Sequence, residues 1–231
     1  TPRDHREPAQ YEIGHELRNQ LVAISGRAQM LLRDAQRQTW ENVDRHATII
    51  LDQSKRMKVM ADGLMQFSRA EIKVEPVDLN ALIGDSVELV RAQNRFDGVE
   101  WELRLAPPVP RLRMDPGQIQ QVLINLFMNA ADAMNEKQAP RKVITVATEV
   151  DERQRQLRLR VEDSGTGIPE AVMNRIFEPH FTTKPTGNGF GLATSYRILQ
   201  NHGGRIAASN LPAGGACFTV NLPLDGPGSW N

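Results

Sequence analysis

The sequence predicts an α+β chain in two parts, an antiparallel helical hairpin over residues 1–74 and an α/β sandwich over 75–231. Three observations carry that expectation. Near the start, apolar residues step by fours and threes (Ile13, Leu17, Leu21, Ile24, Ala28, Leu31), as in a long amphipathic helix with a coiled-coil seam. After Pro76 the pattern changes to short alternating strands interleaved with helices. Two glycine-rich loops, D-S-G-T-G-I from Asp163 and G-N-G-F-G-L from Gly187, flank a segment containing F-E-P-H-F-T-T-K.

Composition narrows the class. A chain of 231 residues can bury a large core in one or two domains. Lysine plus arginine (28) balance aspartate plus glutamate (28), so no net field favours nucleic acid or an anionic membrane. One cysteine, Cys217, excludes a disulfide framework and fits a reducing compartment; between Ala216 and Phe218 it reads as a buried strand residue. No run approaches the ~18 apolar residues of a membrane span, and no signal peptide opens the chain. A cytoplasmic location is expected, and the abrupt start before the first motif suggests a fragment.

The first helix is followed by a polar interval, 34–41, and then a second helical run with Ile50, Met57, Met60, Leu64 and Phe67. Two helices with one apolar stripe each make a poor monomeric core. Pairing two copies into a four-helix bundle buries both stripes, so a homodimer is expected. The stretch G-H-E-L-R-N-Q-L lies on the first helix. Taken alone, His15 and Glu16 read as a solvated surface pair. A zinc motif is excluded, because H-E-x-x-H needs a second histidine where Asn19 stands.

In the second part, residues 76–80 read as an extended linker ending in a helix cap, with a helix to about Ala92. Val99, Trp101, Leu103 and Leu105 alternate as a strand. Asp115, Pro116 and Gln118 supply an N-cap, a first-turn proline and the far member of a capping box. The helix that follows carries Asn125 and Asn129, four apart and so on one face. Such amides are costly in an apolar helix unless partnered, either by backbone or by a ligand. Strands are expected at 143–150, 157–161, 205–209 and 216–222, with Gly203-Gly204 ending the helix that starts near Leu192. The tail from Asp225 is expected to carry no structure. His5, His46, His180 and His202 show no metal-ligand spacing and receive no role. A glycine loop feeding a helix N-terminus suits phosphate. It is not a P-loop, since G-x-x-x-x-G-K-[ST] is absent, and 187–192 lacks the third glycine of G-x-G-x-x-G.

Taken in order, H-E-L-R-N-Q-L, the Asn125/Asn129 helix, D-S-G-T-G-I, F-E-P-H-F and G-N-G-F-G-L resemble the H, N, G1, F and G2 boxes of the sensor histidine kinases of two-component systems. The ATP-binding domain of that family shares the GHKL fold with gyrase, Hsp90 and MutL. The resemblance covers nearly the whole chain. It implies that His15 takes the γ-phosphoryl group of ATP through Nε2, with Glu16 its orienting base. It implies that Asn19, in an E-x-x-N pattern, orients water for dephosphorylating a partner, and that Asn129 gives a carbonyl oxygen to Mg²⁺. Asn125 stands where the hydrolysing relatives carry a glutamate base, and an amide cannot accept that proton. Asp163 would accept from the adenine amino group while Gly165 and Gly167 let the chain pass base and ribose. Gly187, Gly189, Gly191, Leu192 and Thr194 complete the nucleotide set, and Lys184 is a candidate phosphate contact whose competing reading is a solvated loop lysine. Phe177 and Phe181 would pack the base of a short lid. Gln20 replaces the family's usual proline, which bears on helix bending and domain docking and not on the nucleophile. The implied partners are a second copy and the aspartate of a response-regulator receiver domain, without nucleic acid. The implied location is the cytoplasm, including the cytoplasmic part of a membrane-bound sensor.

Two other classes compete with a kinase. A fold-related ATPase clamp would release phosphate steadily without labelling the protein, and both Asn125 and the H box argue against it. A non-catalytic scaffold or a predominant phosphatase is the second; intact nucleotide boxes argue against the scaffold.

Overall fold

The computed structural model describes residues 6–37, 42–51, 53–54, 73–106, 109–139, 141–179, 181–184 and 189–226, with side chains from Asn19 onward. It divides into two compact units, Thr1–Ala70 and Glu71–Asn231.

In the first unit, helix α1 (Arg6–Gln36) runs unbroken through Gln20 and takes in the first three residues of the interval expected to be a loop. A second helix, α2, is described over 43–51. Ile24, Ala28 and Leu31 are half-buried, whereas Leu21, Val22, Met30, Leu32 and Leu51 stay exposed. His46, which the sequence left without a role, is buried. Its Nδ1 lies 3.4 Å from an Arg27 guanidinium nitrogen and its Nε2 3.7 Å from the Asp34 carboxylate. A guanidinium can only donate, so Nδ1 accepts and the ring proton sits on Nε2, facing Asp34. The expected positions 57–67 of the second run lie outside the described residues.

The second unit begins with β1 (Glu75–Val77) and α3 (Leu79–Arg91), whose N-cap Asp78 accepts from the Ala81 N–H. A 3-10 turn (Asn94–Phe96), β2 (Val99–Arg104) and β3 (Leu112–Met114) lead to the long helix α4 (Pro116–Lys137). Then come β4 (Lys142–Asp151), β5 (Gln156–Asp163), a second 3-10 turn (Glu170–Val172), α5 (Gly191–Asn201), β6 (Arg205–Asn210) and β7 (Ala216–Pro223). Five strands form one sheet in the order β2-β4-β5-β7-β6, in which β2 runs parallel to β4 and the other neighbours are antiparallel. The segment expected to be a plain linker instead pairs β1 with β3 in a small antiparallel ribbon.

Strand alternation builds the core. Leu157, Leu159 and Val161 of β5 stand opposite Leu222, Val220 and Phe218 of β7, all buried on one face. The intervening Arg158 and Arg160 turn outward to pair with Glu149 and Glu162. Ile119, Leu123, Leu126, Phe127 and Met134 of α4 join that apolar face in one cluster, so α4 is the central helix of a two-layer sandwich. Cys217 is buried in β7, as its neighbours suggested.

Two expectations need correction. Asp115 caps α4 by accepting from the Gln118 N–H, but its own N–H, the group a capping box would satisfy from Gln118, donates to His202 Nε2 at 3.0 Å. His202 is 2% exposed and its Nδ1 lies 2.7 Å from the Ile198 carbonyl, so Nδ1 carries the proton. A histidine without a motif thus locks the end of α5 to the start of α4. The start of the tail is also held where no structure was expected, because Asp225 pairs with the Arg155 guanidinium. Residues 227–231 lie outside the described residues.

Candidate functional site

Helical spacing sets Asn125, Asn129 and Asp132 along one face of α4. Asn125 donates from Nδ2 to the Gly191 carbonyl at 3.2 Å and lies 3.3 Å from Ser195 Oγ, which itself donates to Gly191 at 3.0 Å. Its amide therefore holds the first turn of α5. Asn129 Oδ1 accepts from the Lys184 ammonium at 3.1 Å. The same ammonium sits 2.6 Å from one Asp132 oxygen, and Arg95 sits 3.0 Å from the other. A cation thus already rests between an amide oxygen and a carboxylate. An amide oxygen beside a carboxylate is a hard oxygen donor set, which would suit an ion such as Mg²⁺. Among the described residues no group of three or more His, Cys, Asp or Glu could form an all-protein cage. Sequence reasoning missed Asp132 and Arg95. Asp132 had a usable signal, standing three residues after Asn129 on the same face.

Asp163 closes the other end. It is the last residue of β5, 5% exposed, and its Oδ1 accepts from Gly165 N–H (2.8 Å) and Ala216 N–H (3.3 Å). Burial pushes its carboxyl above the ordinary aspartate value, opposed by those two amides and by the nearby charge of Lys137. Lys137, at the end of α4, donates to the carbonyls of Ser164 (3.0 Å) and Gly165 (3.1 Å), tying helix to loop. As a last-turn lysine it looks in sequence like a simple dipole partner, and nothing in its motif marked it. Gly165 must be glycine because a Cβ there would lie 2.6 Å from the Ala133 Cβ on α4. Gly167 has φ +75°, a conformation glycine adopts without strain.

The second glycine loop brings Gly189 at φ +68° to Phe190, the N-cap of α5, and no side chain caps that helix. Its first turn, starting at Gly191, therefore faces the loop with the positive dipole end uncapped. Leu192 packs against the core and Thr194 is buried, its N–H donating to Phe190. Gly187 lies outside the described residues. Phe177 and Phe181 pack against the core edge, Phe177 at 5.9 Å from the Tyr196 ring and Phe181 beneath the Arg175 guanidinium. His15 and Glu16 lie on α1 in the first unit with side chains outside the described set; Asn19, one turn later, is exposed.

This architecture defines a nucleotide-pocket class: a central helix with aligned amides, a buried carboxylate after a strand, and a glycine loop at an uncapped helix. Residues 114–226 match the model of histidine kinase-, DNA gyrase B- and HSP90-like ATPases, and residues 11–72 match the His Kinase A (phospho-acceptor) domain. Sensor histidine kinase ZraS of Klebsiella oxytoca is 34% identical over 217 residues, covering 93% of this chain and 45% of that protein. The catalytic domain of histidine kinase ThkA superposes with a TM-score of 0.59 at 30% identity, over 66% of this chain and 97% of that one. ThkA solved in complex with response regulator protein TrrA gives a TM-score of 0.68 at 25% identity, over 94% of this chain and 61% of that one. The chain belongs to the histidine kinase family. It spans less than half the length of the curated relatives it matches. Among the described residues no helix is long and apolar enough to cross a membrane.

Proposed function

We propose that this chain is the catalytic portion of a sensor histidine kinase that phosphorylates itself on His15 and passes the phosphoryl group to an aspartate of a response-regulator receiver domain. The observation that carries the reading is Asn125. It is an amide whose N–H₂ is engaged by Gly191, in the place where a hydrolase needs a carboxylate base. ATP bound here is protected from water until a better nucleophile arrives, and the phospho-acceptor match of residues 11–72 contains one.

In this reading 1–74 is the phosphoacceptor hairpin and 75–231 the nucleotide domain. Asp163 accepts from the adenine amino group, and Gly165 and Gly167 leave room for base and ribose. The loop with Gly187 and Gly189 and the first turn of α5, from Gly191 through Leu192 to Thr194, receive the phosphates. Lys184 adds positive charge there. Asn129, with Asp132 beside it, would hold Mg²⁺, which when bound neutralises phosphate charge. His15 Nε2 forms its bond to the γ-phosphorus as the bond to the bridging oxygen breaks and ADP leaves. Glu16 holds the opposite ring N–H and raises the basicity of the attacking nitrogen. Asn19, exposed one turn away, orients water against a phosphorylated partner, making the kinase also a phosphatase. The protein acts as a homodimer in the cytoplasm, whether free or as part of a membrane-bound sensor.

The test is incubation with ATP labelled at the γ-phosphate. Label that survives base and not acid marks phosphohistidine. His15→Gln is expected to abolish labelling while ATP affinity stays within about tenfold, ~1.4 kcal/mol. Steady phosphate release without protein label would instead favour the ATPase clamp. The same preparation with Asn19→Ala should label normally and dephosphorylate its partner slowly; a parallel fall in both activities removes the water-orienting role.

A further inference from the structure

The loop after Asp163 leaves the sheet at the end of β5, and only its first residue, Ser164, still bonds a strand through its backbone. Its near arm is tied repeatedly. Ser164 N–H donates to the Val143 carbonyl at 3.2 Å, Ser164 Oγ accepts from Val143 N–H at 3.0 Å, and Lys137 grips two carbonyls. The far arm is tied at Ile168 by the carboxamide of Asn210, the last residue of β6. Ile168 N–H donates to Asn210 Oδ1 at 2.7 Å, and Asn210 Nδ2 donates to the Ile168 carbonyl at 2.7 Å. One side chain thereby satisfies both backbone groups of one residue, as a neighbouring strand would. The fit is close, since a Cβ on Gly167 would meet Asn210 Oδ1 at 2.8 Å.

The other leg of the same hairpin presses on the start of the loop. Gly215, at φ +95°, lies so near that a Cβ there would come within 1.8 Å of the Asp163 carbonyl oxygen. The next residue, Ala216, donates its N–H to the Asp163 carboxylate. The β6–β7 hairpin therefore meets the loop at both ends, through backbone at Asp163 and through a two-point side-chain clamp at Ile168.

We propose that Asn210 is a positioning residue for the nucleotide. By gripping Ile168 on both sides it fixes the outgoing arm of the glycine loop against which base and ribose lie. The inference rests on the reading of Asp163 as the adenine acceptor, and it assigns a role to a residue forty-two positions downstream of the one it clamps. Because the clamp acts at the base and ribose end, it serves ATP and ADP equally and is indifferent to the metal.

The full chain carrying Asn210→Ala, and separately Asn210→Asp, tests this. Asparate at this place keeps an acceptor for the Ile168 N–H and loses the donor for its carbonyl. Amide exchange in the nucleotide-free protein should be at least tenfold faster at Ile168 in Asn210→Ala, with β5 amides unchanged. Titration calorimetry should show ATP and ADP weakened by the same factor, at least fivefold, with Asn210→Asp in between. Unchanged exchange at Ile168, or faster exchange with both affinities unmoved, overturns the proposal. Loosening of β5 together with Ile168 marks ordinary structural support and overturns it too. Asp163→Asn run alongside separates the two ideas: if that variant leaves ATP affinity intact, the adenine reading fails, while the Asn210 comparison still stands or falls on its own results.

Discussion

Asp163 is nearly buried at the end of β5, and burial raises its carboxyl above the ordinary aspartate value despite two amide donors and Lys137. Between the ordinary value and that raised one, the folded chain holds a proton the unfolded chain has released. Stability is therefore highest below the ordinary value and falls as pH rises through the folded one. The adenine contact proposed for Asp163 wants the opposite, an ionised acceptor. Asp163→Asn is accordingly expected to raise the melting temperature of the nucleotide-free protein at neutral pH and to reduce its preference for ATP over GTP. Lys137→Met removes a charge that holds the carboxyl down, so the acid limb of ATP binding should move to higher pH. Scanning calorimetry and nucleotide titrations across pH check both; a lower melting temperature with unchanged discrimination in Asp163→Asn sinks the argument. At this scale the motif residues were legible because each box advertises a residue type at a fixed spacing. Their supports were not. Lys137 reaches Gly165, and Asn210 reaches Ile168, across 28 and 42 positions of sequence. No local pattern records such a contact.

Helices and strands were readable where capping or alternation is strong. Asp78 and Asp115 mark the starts of α3 and α4, and β4 to β7 follow their apolar periods. The β1–β3 ribbon was not readable, because three residues between prolines carry too little alternation to stand out. The junction of α4 with α5 was equally hidden. His202 sits 87 positions after Asp115, and its lack of metal-ligand spacing says nothing about a backbone partner. Replacing it tests how much that junction contributes. His202→Phe conserves bulk but strands the Asp115 N–H, whereas the Ile198 carbonyl keeps the backbone N–H of residue 202. An unsatisfied buried donor costs about 1–3 kcal/mol, so the melting temperature should fall by several degrees. ATP affinity measured well below that temperature should change by less than about twofold, since no site residue is touched. An unchanged melting temperature would show that the histidine bond adds nothing to the docking of the two helices.

For the whole molecule, the decisive surface is on the first unit. The seam read from sequence divides in the structure: Ile24, Ala28 and Leu31 are half-buried, while Leu21 is 50% exposed, and Leu32, which the seam did not include, is 65% exposed. Periodicity identifies an apolar stripe, but it does not say which members a hairpin uses for itself and which it leaves for a partner. Leu21 and Leu32 lie eleven residues apart, close to three helical turns, so they present one face. A second copy is the occupant that we propose for it. Fully burying a leucine stabilises by about 1.5–3 kcal/mol; because Leu21 and Leu32 are only 50% and 65% exposed, covering the rest of all four in a symmetric pair would contribute roughly 3–7 kcal/mol before the cost of association. Leu21→Lys with Leu32→Lys should convert a dimer into a monomer in sedimentation at micromolar concentration. ATP affinity should be preserved, because Asn129, Asp163 and Lys184 all belong to the other unit. A double variant that remains dimeric would move the interface elsewhere on the chain. In the monomer, labelling at His15 then reports the geometry of transfer. Loss of label with intact ATP binding means that each nucleotide domain serves the histidine of its partner, whereas retained label means that donor and acceptor meet within one chain.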